Sequence, residues 1–530
     1  MSQNWIRFFM VVVTAVIALS GCMTTGGGRV VEDPQGRFTY RALSDLRPQV
    51  TDGTYDHYTL ASPAMELYVL ATEAPNEQVG RELAFGRIGR DFASLTLDGS
   101  ASFGEWRADR FTTATKGEWA GIAYQYRGDT LYGMVVYGGG DSSPDSLPTP
   151  VATIIGSFQF GKAAGKPFRP TSFAELEDFI VRTAASFGGS ISVAAVKDGK
   201  IVYHYAAGDR GMGVPASPDV AYHWGSITKI ATATAVMQLV EQGRIGLEAT
   251  LDTYFPEFPL GRKITVRNLL THSAGLPSFE DTHLVAFGEN QMPDMASVLA
   301  SYWPRVEGLA YEPGSLSAYH NWNFLILGRL VEKVSGEELT SYVRRHIFTP
   351  VGMKGTAYTT AALAGAPQAL AVVTIERLAM TESLIAANGV KMDGFVASRT
   401  DKLAHLQPFD ILPAWGGVKS PAADAALFGW MFLNDGEMAG NRVLGRSTVR
   451  EMLSMQKSTA GGPMGMGLAW HLGQQGREPF AEHAGGGPGI DSLLRIYPRR
   501  GLSIAVLGNA NGYGPGLVLE YTAAVLSELK

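Results

Sequence analysis

Strand-patterned segments stand at both ends of residues 171–530, and that placement restricts the folds open to this part of the chain. Residues 190–196 and 200–206 flank Lys197-Asp198-Gly199, and Asp-Gly between two such runs signals a tight hairpin. Much further on, residues 467–472, 492–497 and 502–507 are patterned as strands again. The stretch between them is long, helical and loop-rich. Residues 171–186 have helical spacing, with Thr171 or Ser172 as cap, and a last helix covers roughly 516–529. A lone hairpin is marginal in water. One antiparallel sheet assembled from both ends gives every strand a partner, leaves the middle as a separate helical lobe, and makes an α+β domain. Sites commonly form in the crevice between such lobes.

The chain has 530 residues, more than one ordinary core holds, so two domains are expected. Residues 36–160 read as a small α+β domain. Met65-Glu66-Leu67-Tyr68-Val69-Leu70 alternates like a half-buried strand. Residues 121–126 and 130–137 flank Arg127-Gly128-Asp129 as a hairpin, and a helix is expected over 76–87. Residues 138–150 form a Gly/Ser/Asp/Pro loop, and 151–160 close the domain. No catalytic constellation is visible there. Residues 161–170, basic and containing Gly and Pro, are the linker. Composition is globular, with 45% hydrophobic and 18% charged residues. A net charge of −6 supplies no basic stripe for nucleic acid.

The single cysteine, Cys22, follows Arg7 and the apolar run 8–19, ending in Leu19-Ser20-Gly21-Cys22. The run has the length of a signal peptide and is short for a membrane span. The ending resembles a bacterial lipobox, which implies a signal segment 1–21, a lipid on Cys22 and a tether over 22–35. Met23 in place of Asp implies a cell-envelope address at the outer membrane, facing the periplasm. One cysteine excludes an intramolecular disulfide.

The strongest chemical signal is Gly225-Ser226-Ile227-Thr228-Lys229, ahead of an apolar-patterned helix over 230–242 that stops at Gly243. Ser226 is placed at the helix N-terminus, where developing negative charge is favoured. Lys229, three residues on, shares its face. A serine hydroxyl needs an adjacent base to attack, and a lysine serves once its surroundings depress its pKa. Ser454-Met455-Gln456-Lys457 has the same spacing but lies in a polar run and reads as surface. Tyr319-His320-Asn321 is the one Tyr-x-Asn among 20 tyrosines and sits on a loop before the apolar stretch 324–331. A phenol beside a protonated lysine relays a proton to a leaving group. His483-Ala484-Gly485-Gly486 lies just before the strands 492–497 and 502–507. Gly485 and Gly486 there would admit a substrate to an edge-strand backbone, and N–H groups of Gly486 and Ser226 would make an oxyanion hole.

In that order, Ser-x-x-Lys, Tyr-x-Asn and His-x-Gly resemble the serine hydrolases of the β-lactamase and penicillin-binding-protein superfamily, which includes class C β-lactamases, D,D-peptidases and esterases. The segments Leu269-Leu270-Thr271-His272-Ser273-Ala274-Gly275-Leu276-Pro277, Thr349-Pro350-Val351-Gly352-Met353 and Gly416-Gly417-Val418-Lys419-Ser420 are similar to the family's as well. The resemblance covers residues 173–530. It implies Ser226 as acylated nucleophile, Lys229 as its base, Tyr319 as proton relay, and Asn321 bonding substrate or Lys229. His483 stands where many members have the lysine of Lys-Thr-Gly, and Ala484 replaces the threonine. These departures weaken binding of a β-lactam carboxylate and favour an ester, or a peptide or amide of D-amino acids, as substrate. A β-lactamase or penicillin-binding D,D-carboxypeptidase is the alternative among enzymes. A catalytically inert, lipid-anchored binding or scaffold protein is the alternative from another class. No metal or cofactor is called for, and His272 reads as structural.

Overall fold

The computed structural model describes ten strands between residues 28 and 160, and residues 170–528 apart from 278–284, 288–293, 376–377, 379–381, 383–394 and 476–477. The signal segment, Cys22, the helix expected over 76–87 and residues 161–169 lie outside the described residues. The chain divides into two compact units, residues 1–169 and 170–530.

In the first unit, β1 (Gly28–Glu32), β2 (Phe38–Leu43) and β10 (Gln159–Phe160) form a three-stranded sheet. Part of the expected tether is therefore strand: Val30 and Val31 are β-branched and pair with Arg41 and Tyr40. The other sheet is antiparallel. It runs β3 (Arg47–Thr51), β4 (Tyr55–Ala61), β5 (Ala64–Glu73), β9 (Thr130–Gly139), β8 (Glu118–Arg127), β7 (Trp106–Thr112) and β6 (Thr96–Phe103). Arg127 pairs with Thr130, as the hairpin pattern predicts. β5 departs from its expected half-burial, because Leu67, Tyr68, Val69 and Leu70 are all buried. Successive residues point to opposite faces, so this central strand is covered on both.

The second unit opens with α1 (Phe173–Phe187), whose N-cap Ser172 accepts from Glu175 N. Next comes the hairpin β11 (Ser190–Lys197) and β12 (Lys200–Gly208). Asp198 and Gly199 both take positive φ, 51° and 73°, the turn whose twist matches the paired strands. The last strands are β13 (His471–Gln475), β14 (Glu478–Gly487), β15 (Ile490–Tyr497) and β16 (Leu502–Gly508). One antiparallel sheet results, in the order β12-β11-β16-β15-β14-β13. Its two halves join where β11 pairs with β16. The strand expected over 467–472 begins later, at His471. Ala469 holds φ 65° and Gly467 N bonds Trp470 O, so the chain turns there instead.

Cross-strand partners share a face, which orients the layers. Ile496 pairs with Ser503, and both meet Gly429 of α4, the helix Ala422–Leu433. Arg495 pairs with Ile504 on the other face, where it reaches Glu520 of α5, the helix Pro515–Glu528, at 3.6 Å. The middle of the unit supplies the helical lobe, centred on α2 (Thr228–Glu241) and α3 (Asn321–Ser335). Trp224, Trp322 and Phe324 are each at most 1% exposed in its core. Burying such side chains contributes about 1.5–3 kcal/mol apiece.

Candidate active site

Ser226 lies in a 3₁₀ turn, Gly225–Ile227, that leads into α2, which starts at Thr228 rather than at the expected residue 230. Lys229 occupies the first turn of α2. Its Nζ donates to Ser226 Oγ at 2.8 Å and to the Trp415 carbonyl at 3.4 Å. The lysine is fully buried, whereas Ser226 is half-buried and reached from solvent. Nζ also sits 4.7 Å from the centroid of the Tyr319 ring. Tyr319 is 46% exposed, with Ser226 close enough to its hydroxyl to act on it. Burial of the hydroxyl raises its pKa, and Ser226 partly offsets the rise. The phenol is therefore neutral at physiological pH. Asn321 begins α3 two residues after Tyr319.

His483 lies just before the two expected strands, as the sequence suggests, but inside β14, a strand that was not expected. β13 covers β14 only as far as Glu482, so 483–487 project past it with an open edge. The serine turn packs against that edge. A side chain on Gly485 would meet Trp224 O at 1.8 Å, and one on Gly225, at φ 54°, would meet Gly486 N at 2.9 Å. Gly485 is thus required by the protein's own turn, which corrects the expectation that it admits substrate. At Gly486 the corresponding direction is open. The structure brings Ser226, Lys229, Tyr319 and the His483–Gly486 stretch together. It leaves Ser454 and Lys457 exposed on the surface.

A family model described as Beta-lactamase matches residues 182–527. The chain belongs to the beta-lactamase family. Among curated relatives, PbpX of Bacillus subtilis (strain 168), named there as a penicillin-binding protein, is 32% identical over 169 residues. That match covers 32% of this chain and 40% of that protein. Penicillin-binding protein 4* of the same organism is 25% identical over 346 residues, 60% of this chain and 67% of the relative. Among solved structures, the octameric penicillin-binding protein homologue from Pyrococcus abyssi superposes with a TM-score of 0.55 at 26% identity. It covers 67% of this chain and 77% of that one. The protein is accordingly a serine hydrolase of this superfamily.

Three imidazoles surround the tyrosine of this hydrolase. Ring centroids of His272, His483 and His471 lie 4.3, 6.0 and 6.3 Å from that of Tyr319. His483 is 1% exposed and its Nδ1 contacts the Ala484 carbonyl at 2.7 Å. Burial, then His471 and Lys229, hold its pKa well below the usual histidine value. Burial, then Lys229, does the same at His272. Burial is also the main cause at His471, which Lys229 reinforces and Glu482 opposes. The ring of His483 is therefore neutral, with the proton on Nδ1 toward the carbonyl. Among the described residues no group of three or more such side chains is arranged to hold a metal.

Sequence reasoning set His471 aside: His471-Leu472-Gly473 shares the His-x-Gly spacing, but only the pairing of β13 with β14 brings it to the site. It also missed the segment 414–420 as a cradle. Trp224 N donates to Val418 O, Val418 N to Thr228 Oγ1, and Thr232 Oγ1 to Ala414 O, at 2.8, 3.2 and 2.8 Å. Trp224 Nε1 donates to Ser420 Oγ at 2.6 Å. The Gly-Gly-Val-Lys-Ser run was the available signal, but spacing alone does not say what it touches.

Proposed function

We propose that the hydrolase works through an acyl-enzyme on Ser226 and cleaves esters, or peptides and amides of D-amino acids. The observation that carries this reading is Lys229 Nζ on Ser226 Oγ at 2.8 Å, with the Tyr319 ring 4.7 Å from the same nitrogen. Lys229 takes the serine proton as Oγ attacks the carbonyl carbon. N–H groups of Ser226 and Gly486 face the developing oxyanion. Collapse breaks the bond to the leaving alcohol or amine, which receives the proton through Tyr319. Water then attacks the acyl-serine ester, releasing the acid and the serine. Asn321 bonds the substrate amide or Lys229. A buried, neutral His483 offers no cation for a carboxylate, which supports ester or amide over β-lactam.

The test compares p-nitrophenyl butyrate, D-alanine p-nitroanilide and nitrocefin as substrates for the wild type and Ser226→Ala. Turnover of the first two by the wild type alone is expected. Equal turnover by the variant would remove Ser226 from the chemistry, and nitrocefin hydrolysis faster than either would favour the β-lactamase alternative.

A lipid on Cys22 anchors the protein in the cell envelope, in our reading, at the outer membrane and facing the periplasm. The support is the apolar run 8–19 ending at the chain's one cysteine. Metabolic labelling with radioactive palmitate should mark the wild type and not Cys22→Ser. Equal labelling of both would exclude this anchor.

A further inference from the structure

We propose that His272 is the positioning residue for Tyr319, setting the reach of the phenol to Ser226. The inference rests on the acyl-enzyme reading and goes beyond it.

Residues 271–275 act as a template for the loop that carries the tyrosine. Ala310 N bonds Gly275 O, Gly314 N bonds Ser273 O, and Ser317 Oγ bonds Thr271 O, at 2.7, 2.8 and 2.8 Å. His272 holds the two residues that bracket Tyr319. Its carbonyl accepts from Ala318 N at 2.8 Å, and its Nδ1 accepts from His320 N at 3.0 Å. The same carbonyl accepts from the Tyr311 hydroxyl at 3.2 Å. Its ring then lies beneath the tyrosine ring, tilted by 31°, with Phe324 at 5.1 Å. One residue therefore fixes the backbone on both sides of Tyr319 and the plane of its side chain.

Two features indicate that this grip is more than packing. His272 takes φ 53°, a left-handed conformation that residues with a β-carbon rarely adopt. An apolar residue in an ordinary conformation would fill the same volume without that strain. Further, Nδ1 is used as an acceptor, which assigns the ring proton to Nε2 and requires the neutral imidazole. Burial and the nearby Lys229 keep the ring in that form.

The required parts are separable by substitution. Asn tolerates left-handed backbone, and its Oδ1 branches from Cγ as Nδ1 does, so His272→Asn keeps both the conformation and the acceptor. His272→Gly keeps the conformation alone, and His272→Ala keeps neither. The measurement is kcat and KM for p-nitrophenyl butyrate, with urea midpoints to show that the Asn and Gly variants are folded. Loss of alignment of this kind costs about 100-fold in rate. The Gly and Ala variants should lose that much in kcat with KM little changed, and the Asn variant should recover to within about tenfold of wild type. A Gly variant equal to the Asn variant, or an Ala variant with wild-type kcat, overturns the inference. A fluorophosphonate probe separates the two levels. A wild type left unlabelled at Ser226 would defeat the acyl-enzyme reading itself, whereas a labelled wild type with unaffected His272 variants would defeat only the role of His272.

Discussion

Gly485 and Gly486 are neighbours with opposite demands. The backbone of the serine turn occupies the place of a Gly485 side chain, while the space beside Gly486 is empty. Gly485→Ala must push Trp224 and the turn that carries Ser226 away, at a cost of about 3 kcal/mol or more. Gly486→Ala keeps its N–H and meets nothing, so stability should stay within about 0.5 kcal/mol of wild type. Urea midpoints of the two variants check this, and equal destabilisation would contradict the packing described. The sequence analysis grouped both glycines as a substrate approach, because a triplet records which residue is small and not which backbone passes over it. The grip of His272 on the tyrosine loop was hidden for a similar reason. Its motif was visible, but the left-handed backbone and the capture of residues 318 and 320 belong to a loop remote in sequence.

At the scale of elements, the cradle 414–420 is locked by a buried charge. Lys419 pairs with Asp410 at 2.5 Å and is only 3% exposed. Asp410 also accepts from Thr360 N at 2.8 Å. Lys419 itself exchanges backbone hydrogen bonds with Ala357 at 2.8 and 3.0 Å. Three chain segments thus meet at one ion pair. Removing one partner leaves an uncompensated charge, and Asp410→Ala should cost about 3 kcal/mol. Replacing both, as Lys419→Met with Asp410→Leu, should restore most of that stability, since apolar pairs of similar volume often substitute without loss. Thermal melts of the single and double variants decide the matter, and a double variant no better than the single would show that the pair itself is needed. Whereas β14 was not expected, the hairpin β11–β12 and the strands β15 and β16 were legible, because Asp-Gly turns and strand-patterned runs are local signals. The cradle was not, because its meaning lies in hydrogen bonds to α2 from a segment almost two hundred residues away.

For the whole molecule, His223, His272 and His483 share one electrostatic consequence. Burial holds each far below the usual histidine pKa, with Lys419 adding to the effect at His223. The folded state keeps them neutral, whereas the unfolded chain takes up protons below about pH 6.5. Stability is therefore full above that pH and falls as the solution is acidified through it. Each histidine steepens the decline by about 1.4 kcal/mol per pH unit once its unfolded form is protonated. Urea midpoints measured between pH 7.5 and 5.5 should drop accordingly, and an unchanged midpoint would mean that these rings are protonated in the fold. Assembly of the sheet from both ends carries a consequence for synthesis. β11 emerges early from the ribosome but its inner neighbour β16 is among the last segments made. Until then the hairpin has no sheet to join, and long-range closures of this kind are slow to form. The growing polypeptide thus stays open, and Ser226 lacks its neighbours on β14, until translation of this unit is almost complete.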